Sequence, residues 1–215
     1  MSEENLEIYL EFNPNELNIA VFNSYNNHIK YFQKESYKSH FKNNLELNFD
    51  NLHKLVEENI LKAEKVTNRF IKDIYLMIET PLSYSIKISV IKNNDGNKIN
   101  KQDLLYLIQD AKQQILNSNS DIRIIHILIE NYYLDYKQFN SLPLGLNCNQ
   151  FSIDLEFICF PNDLALSFEN FFLKQQLSIN QFICSNYAKS FHNIKTNKNI
   201  CELGRDIVMG LNKRE

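Results

Sequence analysis

The start of the chain alternates apolar and polar residues in the manner of β-strands. Residues 6–12 and 17–23 carry this pattern on either side of Asn13-Pro14-Asn15, whose residue types favour a turn. The two segments therefore predict an antiparallel hairpin, and residues 28–33 extend it by a third strand.

A helix and a buried strand are expected after the hairpin. Apolar residues recur at helical spacing over residues 51–66, which predicts a helix with one apolar face. Residues 73–79 contain a continuous apolar run of the kind found in strands covered on both faces, and Pro81 ends it.

The middle of the chain predicts a compact module of strand, helix, strand and strand. Its elements are expected at residues 84–92, 101–117, 122–136 and 151–160. The helix has a suitable cap in Asn100. The segment 122–136 is dense in β-branched residues, so it predicts the central strand, and Glu130-Asn131 divide it into two extended pieces.

Helix and strand signals return towards the end. A stripe of phenylalanines predicts a core-facing helix over residues 164–175, followed by a strand at 178–184 and a helix from residue 186. Periodicity weakens after residue 200, so residues 201–215 are expected to form a tail. Its residues Leu203, Ile207, Val208 and Leu211 leave open a short amphipathic helix with peripheral membrane contact.

Composition narrows the function classes. A net charge of −3 over 215 residues argues against nucleic-acid binding through bulk charge. No apolar run approaches the ~18–20 residues of a membrane span, and the acidic residues 1–7 predict no signal peptide. The cysteines have no metal-ligand spacing, so we expect no metal site and no disulfide at Cys148, Cys159, Cys184 and Cys201. Cys159 and Cys184 lie in apolar runs and are expected to be buried thiols.

Several short segments in order resemble the FtsA family of actin-like bacterial cell-division proteins. The similar segments are Ile125-His126-Ile127-Leu128, Asn131 to Tyr136, Pro143-Leu144-Gly145-Leu146, Asn162-Asp163, and Leu177, Ile179, Gln181 and Ala188. Their order and spacing place residues 6–191 on the N-terminal half of that family.

The resemblance implies a fold and a division of the chain. The expected class is α/β: a partial actin-like (ribonuclease H-like) domain, residues 1–81 plus 161–200, with an inserted strand-helix-strand-strand subdomain at residues 82–160. The chain ends before the adenine-binding half of the family, so that half is expected to be absent.

The first phosphate-binding hairpin of the family departs from its pattern here. The family's loop has Gly and small hydroxyl residues, which bring backbone N–H groups to the phosphates. This chain has Glu11, Asn13, Pro14, Asn15 and Glu16, so one N–H is lost and an acidic residue stands in place of a cation. The loop is therefore interpreted as degenerate.

The second phosphate-binding segment departs as well. The nearest text to the family's Asp-x-Gly-x-Gly-x-Thr is Glu202-Leu203-Gly204-Arg205-Asp206, which lacks the second Gly and the Thr. We therefore expect no ATP or Mg²⁺ cofactor and no catalytic residues. A weak Mg²⁺-dependent site at Glu11 is the alternative.

The inserted module is the expected interaction surface. Tyr132, Tyr133, Tyr136 and Tyr84 predict an interface if they are exposed, and core packing if they are not. His126 is expected to be a buried histidine and not a ligand, because no second ligand stands at the required spacing.

The resemblance implies a non-catalytic cell-division adaptor in the cytoplasm, at the membrane of the division site. Its partners would be other divisome proteins or a second copy of the chain, ahead of FtsZ, whose binding region in the family lies in the other half of the fold. Two alternatives remain open: an actin-like ATP-binding protein completed by a partner chain, and a pilus-assembly adaptor of the PilM type.

Overall fold

The computed structural model describes residues 5–25, 28–37, 41–42, 46–47, 49–190 and 197–210. The chain forms two compact units: unit 1 is Met1–Leu82 with Leu164–Glu215, and unit 2 is Ser83–Asp163. The sequence prediction put the corresponding boundaries after residues 81 and 160.

The elements follow one another in the order β1 (Leu6–Phe12), β2 (Glu16–Asn23), β3 (Ile29–Ser36), β4 (Phe41–Lys42), β5 (Glu46–Leu47), α1 (Phe49–Thr67), β6 (Asp73–Ile78), β7 (Tyr84–Asn93), α2 (Lys101–Ser118), β8 (Ile122–Leu134), β9 (Lys137–Phe139), β10 (Gln150–Pro161), α3 (Asn162–Leu173), β11 (Ser178–Cys184), α4 (Ser185–Ser190) and α5 (Ile200–Val208).

Unit 1 is built on a mixed sheet. In its described part the strand order is β11-β6-β1-β2-β3. β2 is antiparallel to β1 and to β3, whereas β6 pairs in parallel with β1 and with β11. Side chains of β1 alternate between the two faces, so Phe12 packs against Phe168 at 5.5 Å while Tyr9 lies in a cluster with residues of α4 and α5. Both faces of the sheet are therefore covered.

Unit 2 is an antiparallel sheet carrying one helix. Its strand order is β7-β10-β8-β9. Helix α2 begins at the predicted cap: Asn100 accepts from the N–H groups of Gln102 and Asp103, and Asp103 accepts from the N–H of Asn100. The buried side of the sheet includes Phe151, Leu155 and Phe157, all on β10.

The prediction that residues 122–136 form the central strand is wrong. β10 is central, because it pairs along its length with β7 on one side and β8 on the other. The first half of β8 lies at the edge, since β9 covers only its end, from Tyr132 to Leu134. Many apolar residues in one strand do not by themselves distinguish an edge from a centre.

β8 continues through Glu130-Asn131 as one strand, with two bulges. Asp154 of β10 faces Asn131 and Leu155 faces Ile129, so Glu130 is one residue more on β8 than β10 has opposite it. Ile125 is the second such residue, because its neighbours His126 and Ile124 face the consecutive residues 158 and 159. The polar pair therefore marks a bulge and not a break in the strand.

The expected tail is wrong over its described part. Residues 200–208 form α5, which has an Asn199–Glu202 capping box and packs Cys201 and Leu203 into unit 1. Its apolar side is therefore occupied and does not form the predicted membrane-binding face. Residues 211–215 lie outside the described residues. In the described parts of the chain no helix combines the length and the hydropathy needed to cross a membrane.

Candidate functional site

The predicted phosphate hairpin is the turn between β1 and β2, at one end of the mixed sheet. Glu11 lies at the end of β1, next to the end of the parallel strand β6, which Glu79 follows. The carboxyl ends of parallel strands are a common position for binding sites in α/β proteins. A pocket of about 480 Å³ opens here, lined by Glu11, Asn13, Lys34 and Lys189 among others.

The backbone donors of the hairpin are used within the hairpin itself. The N–H of Asn13 donates to Glu16 O at 3.1 Å, and the side-chain Oδ1 of Asn13 accepts from the N–H groups of Asn15 and Glu16 at 3.0 and 2.9 Å. Pro14 has no N–H to offer. The loop has the shape of a tight turn but presents no backbone donor that a phosphate could use without breaking one of these bonds.

Glu11 is a buried carboxylate, with its residue 1% exposed. Its Oε2 accepts from Asn18 Nδ2 at 2.7 Å, whereas Oε1 has no hydrogen bond among the described residues. Burial raises the pKa of Glu11, and the effects of Asn18, Lys189 and Ser185 lower it only in part. The site therefore holds an acidic group that is costly to ionise.

Each lysine that lines the pocket has an acidic neighbour. Lys189 Nζ lies 2.5 Å from Glu79 Oε2 and 3.9 Å from Glu11 Oε1. Lys34 Nζ lies 2.8 Å from Glu16 Oε2, and Lys198 contacts Asp206. An incoming anion would have to displace these carboxylates, which opposes phosphate binding.

The second predicted phosphate segment is a helix and not a loop. Glu202 is engaged in the cap of α5, since its Oε2 accepts from the N–H of Asn199 at 2.8 Å. Gly204 faces Met77, and Arg205 Nε donates to Glu7 Oε2 at 2.7 Å. These residues hold α5 to the sheet, so their backbone groups are not arranged as an anion cradle.

The described residues contain no cluster of possible metal ligands, and their four cysteines are buried. No three His, Cys, Asp or Glu side chains gather there into a possible ligand set. The four cysteines are buried and reduced, and burial raises the pKa of the Cys159 thiol to about 11. A protonated thiol is a poor nucleophile and a poor ligand.

The four predicted interface tyrosines do not form one patch. Tyr132 packs against the core of unit 2, whereas Tyr133 lies on the opposite face and donates to Asp154 Oδ2 at 2.9 Å. Tyr136 is 89% exposed in the turn after β8. Tyr84 pairs with Cys159, roughly 20 Å along β10 from the partner of Tyr132. Exposure singles out Tyr136 as the candidate contact.

Other polar residues of β8 have structural neighbours. His126 is 7% exposed, and burial lowers its pKa to about 4, so the imidazole is neutral. Glu130 pairs with Lys87 at 2.7 Å. Asp135 accepts from the N–H of Gln150 at 2.8 Å, so it fixes a turn. Glu130 and Asp135 therefore have separate partners and do not form a pair of acids.

Sequence reasoning missed Lys189 and Glu79 as members of the site. Glu79 is the last residue of the predicted strand 73–79 and directly follows β6, which pairs with β1, so the topology of an α/β sheet could have indicated it. Lys189 gave no signal, because its approach to Glu79 depends on how α4 packs after β11.

The architecture is α/β, a partial actin-like ATPase fold in which a mixed sheet and an antiparallel sheet belong to separate units. A PilM-PilN type IV pilus biogenesis complex contains a chain that matches with a TM-score of 0.55 and 9% identity, over 87% of this chain and 49% of that chain. The chain thus spans about half the length of that relative.

Two further solved structures match over similar lengths. The cytoplasmic domain of EpsL, from the type II secretion system of Vibrio cholerae, has a TM-score of 0.39 and 8% identity, covering 86% of this chain and 59% of that one. A Bacteroides thetaiotaomicron protein of unknown function with an actin-like ATPase fold has a TM-score of 0.38 and 10% identity, covering 89% and 57%.

No model of a protein family matches the chain, and no curated protein matches it either. The likeness to a chain of the PilM-PilN complex confirms the predicted fold class. The solved structures named above do not include an FtsA protein. The chain that matches with a TM-score of 0.55 belongs to a pilus-biogenesis complex.

Proposed function

We propose that this chain is a non-catalytic adaptor that joins other proteins in an assembly of the pilus-biogenesis type. The actin-like fold and the likeness to PilM in its complex with PilN support this class of function. The proposal places the chain at the cytoplasmic face of a membrane assembly. It prefers the pilus-assembly adaptor of the PilM type to the cell-division adaptor.

The observation that carries the non-catalytic part is the closed hairpin between β1 and β2. Its N–H groups donate to Asn13 Oδ1 and Glu16 O, and Pro14 supplies none. An actin-like ATPase needs such donors for the phosphates of its nucleotide. Here the same turn is stabilised from within, which supports the non-catalytic proposal.

Calorimetric titration of the full chain with ATP and Mg²⁺ tests this part. We expect no binding heat up to millimolar nucleotide. A dissociation constant below about 1 mM would overturn the non-catalytic proposal, because it would require the hairpin to open for phosphate.

Site-specific photo-crosslinking in cells tests the adaptor part. A crosslinker at Tyr136, which is 89% exposed in unit 2, is compared with one at Leu173, which is 70% exposed in unit 1. We expect Tyr136 to capture proteins of a pilus or secretion assembly and Leu173 to capture none of them. Recovery of divisome proteins instead would return the function to the cell-division alternative, and equal capture at both positions would contradict a role for the module.

A further inference from the structure

Strand β8 of unit 2 leaves one of its edges open along most of its length. On one side β10 pairs with it from Ile122 to Leu134, whereas on the other side β9 covers only Tyr132 to Leu134. Among the residues that the structure describes, no strand pairs with the outer side of residues 122–131. We propose that this open edge pairs with the same edge of a second copy of the chain, antiparallel and about a two-fold axis at Ile127.

The open edge carries a row of isoleucines on the side of the sheet that holds α2. Ile124 and Ile129 pack against the core of unit 2 and are only partly buried. Ile127 faces Phe157 of that core and is 36% exposed. An apolar, unpaired strand edge favours association, because a second strand satisfies its backbone groups and removes its side chains from water.

The alternation of faces along β8 is the same in both directions from Ile127. Its neighbours His126 and Leu128 lie on the face away from α2, since each pairs with a residue of β10 that points away from the core. Ile124 and Ile129 come next on the α2 side. Paired residues of antiparallel strands share a face. Two copies centred on Ile127 therefore bring their isoleucines together on one side of a continuous sheet.

The bulge at Ile125 is compatible with this pairing, although bulges often protect an edge from association. Ile125 stands between His126 and Ile124 as an additional residue. In the second copy the residues opposite this pair, Leu128 and Ile129, are consecutive, as are the residues of β10 on the inner side. The bulge therefore serves both pairings in the same way and keeps each side chain on its face.

The charges near the two ends of the open edge have opposite signs. Arg123 stands near one end and Glu130 near the other, and each has a contact within its own chain, with Asn162 and Lys87 respectively. Antiparallel pairing about Ile127 brings Arg123 of each copy beside Glu130 of the other. Charges of opposite sign in neighbouring strands favour pairing, whereas like charges oppose it. The strand is therefore complementary to itself in charge as well as in shape.

The opposite edge of the same sheet, β7, is less suited to association. Lys87 and Lys92 lie on β7, and lysines commonly protect an edge strand from pairing with another chain. The open part of β8, from Ile122 to Asn131, contains no lysine. This contrast favours β8 as the edge that pairs, and it makes Ile91 of β7, which is 58% exposed, a suitable control position.

This inference goes beyond the proposed function and does not depend on it. The open edge ends before Tyr132, whereas the contact proposed for other proteins is at Tyr136, in the turn after β8. Crosslinking at Tyr136 reports on those other proteins, and the experiment below uses the purified chain alone. The failure of one proposal is therefore distinguishable from the failure of the other.

Sedimentation velocity of the intact chain, from about 1 to 100 µM, tests the pairing. We expect the weight-average mass to rise with concentration towards twice the 25.5 kDa of the chain. In Ile127→Lys like charges would meet at the two-fold axis, so this variant should remain monomeric, and so should Ile127→Glu. An equimolar mixture of the two variants should recover a dimer, because opposite charges then meet at the axis.

Ile91→Lys is the matched control and should dimerise as the wild type does. Thermal unfolding verifies that each variant is folded. Ile127→Cys gives a second measure that does not require a charged side chain. On oxidation it should crosslink to a second copy, since paired residues of antiparallel strands have Cα atoms about 4.5–5.5 Å apart, within the range of a disulfide. Ile91→Cys should not crosslink.

Four results would each overturn the proposal. They are a wild-type chain that stays monomeric at about 100 µM, a dimer that persists in folded Ile127→Lys, a mixture of folded charged variants that recovers no dimer, and an Ile127→Cys chain that crosslinks no better than Ile91→Cys. If a charged variant fails to fold, the comparison of the two cysteine variants decides.

Discussion

The ammonium group of Lys189 lies 3.9 Å from Oε1 of Glu11, the buried carboxylate at the end of β1. Glu79 holds the same ammonium at 2.5 Å from the other side. The end of the mixed sheet thus carries its own cation, attached to α4. Such an internal cation reduces the cost of the buried carboxylate without any bound ion.

Removal of this cation should destabilise unit 1. Lys189→Met leaves the carboxyl groups of Glu11 and Glu79 without this cation. We expect the free energy of unfolding in urea to fall by about 1 kcal/mol, a value kept small because the lysine is 40% exposed. Lys34→Met is the control, since Lys34 pairs with the more exposed Glu16. An equal loss in both variants would contradict the role assigned to Lys189.

Glu11 should give the stability of the chain a characteristic dependence on pH. Burial raises its pKa above the ordinary value of 4.5, so the folded chain retains a proton that the unfolded chain releases. The contribution of Glu11 is therefore present below pH 4.5 and is lost as the pH rises through its raised pKa. In Glu11→Gln this decline should disappear, as measured by urea unfolding across that range. A variant with the same slope as the wild type would show that Glu11 is not the group responsible.

His126 should act in the opposite direction. Burial lowers its pKa from 6.5 to about 4. Between pH 4 and 6.5 the imidazole is therefore protonated in the unfolded chain and neutral in the folded chain. The free energy of unfolding should rise with pH across this window, by about 3 kcal/mol in all. Unfolding of His126→Gln, followed from pH 4 to 7, should lack this rise. Persistence of the full rise in the variant would contradict the assignment.

Gly204 is required by its neighbour and not by its backbone conformation. A Cβ placed on Gly204 would lie 2.4 Å from Sδ of Met77, which is fully buried. Gly204→Ala should therefore cost about 1–3 kcal/mol of stability, although Gly-to-Ala within a helix is normally favourable. In the double variant Gly204→Ala with Met77→Ala, the loss of stability in thermal unfolding should be smaller than the sum of the two single losses. Additive losses would indicate that the helix, and not the contact with Met77, sets the cost.

The main elements of unit 1 were predictable from local patterns. Apolar alternation located β1 and β2, and helical spacing located α1, because each signal lies within a few residues along the chain. The parallel pairing of β1 with β6 joins strands that lie far apart along the chain, so the local pattern does not contain it.

The site and unit 2 depended on contacts that the local pattern does not contain. Lys189 approaches Glu11 across 178 residues of chain, so no spacing rule connects them. In contrast, the start of α5 had a readable signal in Asn199 and Glu202, a capping pair that the weak periodicity obscured. The opposite directions of Tyr132 and Tyr133 also follow from ordinary strand alternation.

The two additional residues of β8 determine where that strand can change its length. Removing Glu130 or Ile125 would join residues whose partners on β10 are already consecutive, so every remaining side chain would keep its face. Removing any other residue of the ladder would turn the following side chains towards the wrong layer. Natural relatives that lack one residue of this strand should therefore lack Glu130 or Ile125. The length of β8 can change at these two positions without reversing the side chains that follow.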